Sequence, residues 1–72
     1  MNRGDPIQIN TSSPMYPEGW RIGEKPITVP NHPTFGIYLS ENEERGVNPR
    51  TFYRVVTPFG ICEVNSTFCK PL

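Results

Sequence analysis

The clearest pattern of hydrophobic and polar positions lies in the last third of the chain. Residues 51–57 are rich in β-branched and aromatic side chains, which favour a β-strand. Residues 58–60 carry proline and glycine as a turn signal, and residues 61–64 form a second short strand pattern. We therefore predict a hairpin. A single helical turn over residues 65–72 follows it, capped by the polar residues 65–67.

The N-terminal half has a weaker pattern that prolines interrupt. Residues 5–9 alternate well enough to predict a first strand, and Pro6 marks it as an edge strand or as one with its N–H side unpaired. Residues 10–33 carry five prolines with apolar residues scattered between them. We predict that they form a long Pro-rich loop packed on the rest of the domain, with a short strand over residues 27–29.

A further strand is predicted over residues 34–39. Phe35, Ile37 and Leu39 share one face of this strand. Because this face carries the larger apolar side chains, we predict that it points to the core. Gly36 lies on the opposite face, where a glycine marks a bulge or the close approach of another backbone.

The next segment is polar, and the strand after it has two apolar faces. Residues 40–50 carry three glutamates and predict a long hairpin loop. In the strand that follows, Tyr53 and Val55 share one face, whereas Phe52 and Arg54 lie on the other. We predict that the core includes the following residues: Tyr53, Val55, Val64 and one of Phe35 and Ile37.

The composition is typical of a small, turn-rich β protein. A chain of 72 residues allows one domain, whose hydrophobic core is only marginally large enough to stabilise the folded state. Nine prolines and six glycines disfavour long helices, because proline removes a backbone donor and clashes inside a helix. Four Phe, three Tyr and one Trp are too many for a disordered chain. We predict a single all-β domain over residues 1–72.

Charge and hydropathy exclude several function classes. Seven basic residues balance seven acidic ones, so the bulk basic excess typical of nucleic-acid binders is missing. No stretch approaches the roughly 18 apolar residues of a membrane span. The N-terminus lacks the apolar run of a signal peptide. We expect an intracellular protein that is neither secreted nor inserted into a membrane.

The residue types that carry catalysis or bind cofactors do not form a recognisable arrangement. His32 is the only histidine and lies in the Pro-rich segment, without a framed serine nucleophile or a Gly-rich phosphate loop elsewhere. Glu41, Glu43 and Glu44 lack the regular oxygen spacing and turn glycine of a calcium loop. We therefore expect no enzyme activity, no metal, no cofactor and no small-molecule ligand.

The two cysteines fit an intracellular domain. Cys62 is in phase with Val64 on the last predicted strand, and Cys69 lies in the closing turn. Two reduced core thiols are the first interpretation, and a Cys62–Cys69 disulfide is the alternative. A metal site would need more ligands than one histidine can add.

The order of these segments resembles that of small SH3-like barrels encoded by tailed bacteriophages. The resemblance rests on the Gly-Asp-led segment 4–9, the Phe-Gly-Ile-Tyr-Leu strand 35–39, the Tyr-Arg-Val-Val strand 53–56 and the Gly-led segment 60–72 that ends in Pro-Leu. It implies a five-stranded SH3-like barrel with a C-terminal helical turn. It also implies a phage origin, in a group of proteins without assigned function, and it supplies no catalytic residues.

One set of side chains predicts a binding surface. In SH3-like barrels the first long loop lies beside the hairpin loops and forms an aromatic-rimmed groove, and aromatic residues and arginine dominate interface hot spots. The same aromatics are also needed as core material in so small a chain, and this alternative stays open. The predicted partner-binding residues are Tyr16, Trp20, Phe52 and Arg54, with Tyr38 and Phe59 as additions.

These observations predict a non-catalytic binding module whose partner is another protein. The phage resemblance makes it an accessory protein that binds and modulates a host protein in the host cytoplasm, or alternatively a small docking component of the virion. A nucleic-acid-binding barrel that uses Arg45, Arg50 and Arg54 is a third hypothesis, which the glutamates at 41–44 weaken.

Overall fold

The computed structural model describes residues 1–72 and confirms an all-β chain. It forms one curled antiparallel sheet, a half-barrel, with the strand order β3-β2-β6-β5-β4-β1-β7. Seven strands are present rather than the five expected, and a 3-10 helix at Ser66–Phe68 is the one helical element. The strands are β1 Pro6–Ile9, β2 Pro14–Pro17, β3 Ile27–Thr28, β4 Thr34–Glu44, β5 Arg50–Thr57, β6 Gly60–Asn65 and β7 Cys69–Pro71.

The predicted C-terminal hairpin is confirmed as β5 and β6. Thr57 pairs with Gly60, so Pro58 and Phe59 form a two-residue connection. The Thr57 hydroxyl accepts a hydrogen bond from the Phe59 N–H at 3.0 Å and donates one to the Gly60 carbonyl at 2.8 Å. Gly60 has a φ of +97°, which a residue with a side chain rarely adopts.

The predicted helical turn is shorter than expected. Asn65 caps it, because its side-chain oxygen accepts a hydrogen bond from the Thr67 N–H at 3.0 Å. The turn ends at Phe68, and Cys69–Pro71 continues as β7, which pairs with β1. This pairing places β1 between β4 and β7, so the prediction of an edge strand is wrong. Pro6 is tolerated because it occupies the first position of β1.

The Pro-rich segment 10–33 is not one continuous loop, because two short strands, β2 and β3, interrupt it. Met15 pairs with Ile27 across these two strands, which confirms a short strand where residues 27–29 predicted one. The Val29 N–H donates to the Ser13 carbonyl at 2.9 Å and extends the contact beyond the ladder. Met15 and Val29 are both buried, so the segment completes the core.

The predicted hairpin loop over residues 40–50 is mostly strand. β4 continues to Glu44 and pairs with β5 down to Arg50, which leaves residues 45–49 as the connection. Residues 40–50 are all exposed, so this end of the hairpin is a two-stranded ribbon that projects beyond the core.

The face of β4 that points inward is opposite to the predicted one. Phe35 and Ile37 are 55% and 41% exposed, whereas Thr34 and Tyr38 are buried. Gly36 explains this phase, because a Cβ atom there would lie 2.4 Å from the Val56 carbonyl oxygen. The predicted close backbone approach at Gly36 is therefore confirmed, because only a residue without a Cβ atom fits on this face of β4 beside Val55 and Val56.

The core is small and mostly aliphatic. Val55 and Val64 are fully buried, as predicted, and Tyr53 packs against the cluster while half-buried. The choice of Phe35 or Ile37 as a core residue is wrong for the reason just given. The buried cluster consists of Ile7, Ile9, Met15, Val29, Val55, Cys62 and Val64.

Both cysteines are free thiols in this core, in agreement with the first interpretation. Cys62 is fully buried beside Val64 on β6, with its sulfur 3.8 Å from the Thr57 hydroxyl oxygen. Cys69 is half-buried at the start of β7, and its thiol donates to the Asn65 carbonyl at 3.6 Å. Burial raises the pKa of Cys69 to about 11.

Candidate functional site

The four predicted binding residues come together on the outer face of the curled sheet. Phe52 and Arg54 alternate on β5 with Tyr53 and Val55, which face the core, so they point outward. Tyr16 lies on β2, and Trp20 lies in the connection between β2 and β3. Strand β6 separates β2 from β5, and its Glu63 pairs with both Tyr16 and Arg54.

Three of these residues form a set of edge-to-face rings. The ring centroids of Tyr16 and Trp20 lie 4.8 Å apart at an interplanar angle of 72°. Those of Tyr16 and Phe52 lie 6.4 Å apart at 71°. This arrangement brings the positive edge of one ring to the negative face of the next. We call Tyr16, Trp20, Phe52 and Arg54 the aromatic surface.

The connection after β2 holds Trp20 in place through hydrogen bonds. The Trp20 backbone N–H donates to the Pro17 carbonyl at 3.0 Å and closes a turn in which Gly19 has a φ of +81°. The indole N–H donates to the Glu24 carbonyl at 3.1 Å. The Glu18 N–H donates to the Ile61 carbonyl at 3.2 Å and fastens the turn to β6. The tryptophan is therefore anchored beside the sheet by both its backbone and its ring.

Two ion pairs flank the rings. Arg54 forms a hydrogen-bonded pair with Glu18, and about half of each side chain is exposed. Arg50 lies 3.7 Å from Glu44, with its guanidinium carbon 6.0 Å from the centre of the Phe52 ring. Because both pairs are exposed to water, each contributes little to stability, roughly 0.2–1 kcal/mol.

Two clefts open around the Tyr16–Trp20 pair. One has a volume of about 300 Å³ and is lined by Glu18, Arg54 and Ile61 among others. The second, of about 360 Å³, is lined by Asn42, Glu44, Arg50 and Phe52. Three residues line both clefts, namely Tyr16, Trp20 and Glu63.

The two additional aromatics lie elsewhere. Tyr38 is buried, with its ring against Tyr53, and its hydroxyl donates to the Glu41 carboxylate at 2.8 Å. That hydrogen bond, together with burial, raises the pKa of Tyr38 to about 12. Phe59 lies on the β5–β6 turn and lines a separate cleft with Phe35 and neighbouring prolines. Neither residue belongs to the aromatic surface.

Sequence reasoning missed two acidic residues at this site. Glu18 pairs with Arg54, and Glu63 occupies the strand position between Tyr16 and Arg54. Glu63 was open to prediction, because it alternates with Cys62 and Val64 and must point away from the core. Glu18 carried no such signal, since its position depends on the path of the connection after β2.

Other potential chemistry in the chain is sparse. His32 is exposed, and its ring nitrogen Nδ1 lies 3.4 Å from the Pro33 carbonyl in its own loop. No three side chains of the His, Cys, Asp or Glu type are grouped in a way that would hold a metal ion. No helix has the length and apolar character that crossing a membrane requires.

Comparison with known proteins identifies no relative of this chain. No protein-family model matches the chain, and neither a curated protein nor a solved structure matches it. We therefore base the proposed function on the geometry of the aromatic surface.

Proposed function

We propose that this protein is a non-catalytic binding module that captures another protein through the aromatic surface. The observation that carries the proposal is the gathering of three rings and an arginine around two clefts on the outside of the sheet. Tryptophan, tyrosine and arginine are the residues most enriched among interface hot spots.

The composition of the core supports a binding role for these aromatics. The buried cluster consists of aliphatic residues, methionine and Cys62, and none of the three rings belongs to it. The three rings are half-buried and pack against one another, on the opposite side of the sheet from that cluster. An interpretation of these side chains as core material therefore has little support.

The class of partner follows from the sequence resemblance. Small SH3-like phage proteins suggest an accessory protein that binds and modulates a host protein. The curled antiparallel sheet is compatible with an SH3-like barrel that carries two added strands. A docking component of the virion is the alternative, and it would use the same aromatic surface on a different partner.

A nucleic-acid partner is less favoured by the charges. Arg50 lies beside Glu44, and Arg54 is paired with Glu18, so neither offers an unopposed charge to a phosphate. Arg45 alone among the three candidate arginines forms no ion pair. Affinity for a phosphate backbone depends on several such unopposed cations.

A capture experiment with matched variants tests the proposal. Tagged wild-type protein, Trp20→Ala and Phe59→Ala are used as baits in bacterial host lysate, and captured proteins are identified by mass spectrometry. Both variants remove a partly exposed aromatic side chain, but only Trp20 belongs to the aromatic surface. We expect a defined partner that wild type and Phe59→Ala retain and Trp20→Ala loses. A partner that depends on Phe59 instead would contradict the assignment of the surface.

A further inference from the structure

The clefts at the aromatic surface are lined by one carboxylate that forms no ion pair. Three glutamates and two arginines line its clefts. Glu18 is paired with Arg54 and Glu44 with Arg50, whereas Glu63 has no cationic group within ion-pair distance. The lining of the two clefts therefore carries an excess of one negative charge, and Glu63 is the carboxylate without an ion pair.

The strand geometry fixes where this carboxylate lies. Glu63 is flanked along β6 by Cys62 and Val64, which are fully buried, so its side chain is held on the outer face. Tyr16 is its direct neighbour on one side in the sheet, and Arg54, which is paired with Glu18, is its neighbour on the other side. Glu63 also lines both clefts together with Trp20. A group that enters either cleft thus meets two rings and a carboxylate.

The same surface already holds one cation by this combination of groups. The Arg50 guanidinium lies 6.0 Å from the centre of the Phe52 ring and 3.7 Å from Glu44. An aromatic ring attracts a cation through its quadrupole, and a nearby carboxylate adds a direct charge interaction. Tyr16, Trp20 and Glu63 supply the same two kinds of group, and Glu63 forms no ion pair within the chain.

We propose that Tyr16, Trp20 and Glu63 bind the guanidinium of an arginine side chain on the partner protein. A guanidinium suits this position because its planar group can stack on a ring while it donates hydrogen bonds to a carboxylate. The inference rests on the proposed function and specifies the chemistry of its partner, which presents an exposed arginine to the clefts.

The test uses two blocked peptides that differ only in charge. The first is acetyl-Gly-Ser-Arg-Ser-Gly-amide, and the second has citrulline, the neutral isostere, in place of arginine. Trp20 is the only tryptophan, so its indole N–H signal in a nitrogen-15 NMR titration reports on the site. We expect the arginine peptide to shift this signal and to bind roughly tenfold more tightly than the citrulline peptide.

Two glutamine variants make the test specific. Glu63→Gln removes the unpaired carboxylate, and we expect it to reduce the affinity for the arginine peptide by about fivefold or more. Glu43→Gln removes an equal charge from the exposed end of β4, outside both clefts, and should leave the affinity unchanged. Equal binding of the two peptides, or equal effects of the two variants, would overturn the inference.

The capture experiment separates this inference from the proposed function. If the captured partner loses affinity for Trp20→Ala but binds Glu63→Gln as tightly as wild type, the protein-binding role stands and the arginine site is wrong. If the partner binds Trp20→Ala as tightly as wild type, the proposed function itself is wrong.

Discussion

Gly36 is the residue at which backbone packing most directly determines the fold. An added Cβ would lie 2.4 Å from the Val56 carbonyl oxygen and 2.6 Å from a methyl carbon of Val55. A backbone oxygen cannot move aside as a flexible side chain can, so β4 and β5 would have to separate. The face of β4 that carries this glycine points inward, although the neighbouring Phe35 and Ile37 are far more apolar.

We predict that Gly36→Ala destabilises the protein by about 1–3 kcal/mol or more, the usual effect of overpacking. Gly46→Ala is the matched control, because a Cβ at that position meets no atom within 4 Å and the glycine has no positive φ. Urea unfolding of the two variants measures the difference. Similar midpoints for both would contradict the close approach of β4 to β5.

Cys69 gives the stability a predictable dependence on pH. Burial raises the pKa of its thiol from 9.0 to about 11, so the folded protein keeps a proton that the unfolded chain releases. The free energy of unfolding should therefore fall as the pH rises from about 9 to about 11. Denaturant titrations at several pH values should show a smaller fall for Cys69→Ala than for wild type. Parallel curves for the two proteins would show that the thiol is not buried as described.

At the scale of elements, β5 separates two adjacent valines onto opposite faces of the sheet. Val55 is fully buried, whereas Val56 is 40% exposed. We predict that Val55→Ala costs roughly 1–4 kcal/mol, because it leaves a cavity in a small core. Val56→Ala removes the same atoms from the outer face and should cost less than half as much. Thermal melts of both variants provide the comparison, and the opposite ranking would reverse the register of β5.

The elements that were predictable from sequence are those with local signals. Strands β5 and β6 have β-branched runs and a Pro-Phe-Gly turn, and Asn65 supplies a recognisable cap. Strand β2 was missed because prolines at both of its ends, Pro14 and Pro17, suggested a loop. Its hydrogen-bonding partners, β3 and β6, are chosen by tertiary contacts that no local pattern encodes.

At the scale of the whole molecule, the candidate site is assembled from distant parts of the chain. The sheet order places β2 next to β6, and this pairing brings Tyr16 and Trp20 to Phe52 and Arg54. The set was predictable as residue types suited to binding, but the contacts of Glu18 and Glu63 with it were not. Those contacts depend on the path of the connection after β2 and on the register of β6.

The central claim is that a partner protein binds the aromatic surface, and affinity measured on four proteins tests it most directly. These are wild type, Trp20→Ala, Arg54→Ala and the charge-matched control Arg45→Ala, which alters an exposed arginine in the β4–β5 connection. Each is titrated with the captured partner by calorimetry, and each is melted to confirm that it is folded.

We predict that Trp20→Ala raises the Kd about 30-fold or more, the effect of losing a hot-spot residue. Arg54→Ala should raise it about tenfold while lowering the free energy of unfolding by less than about 1 kcal/mol, because its ion pair is exposed. Arg45→Ala should leave both quantities unchanged. A Kd that is the same for all four folded proteins would contradict the account and place the binding site outside the aromatic surface.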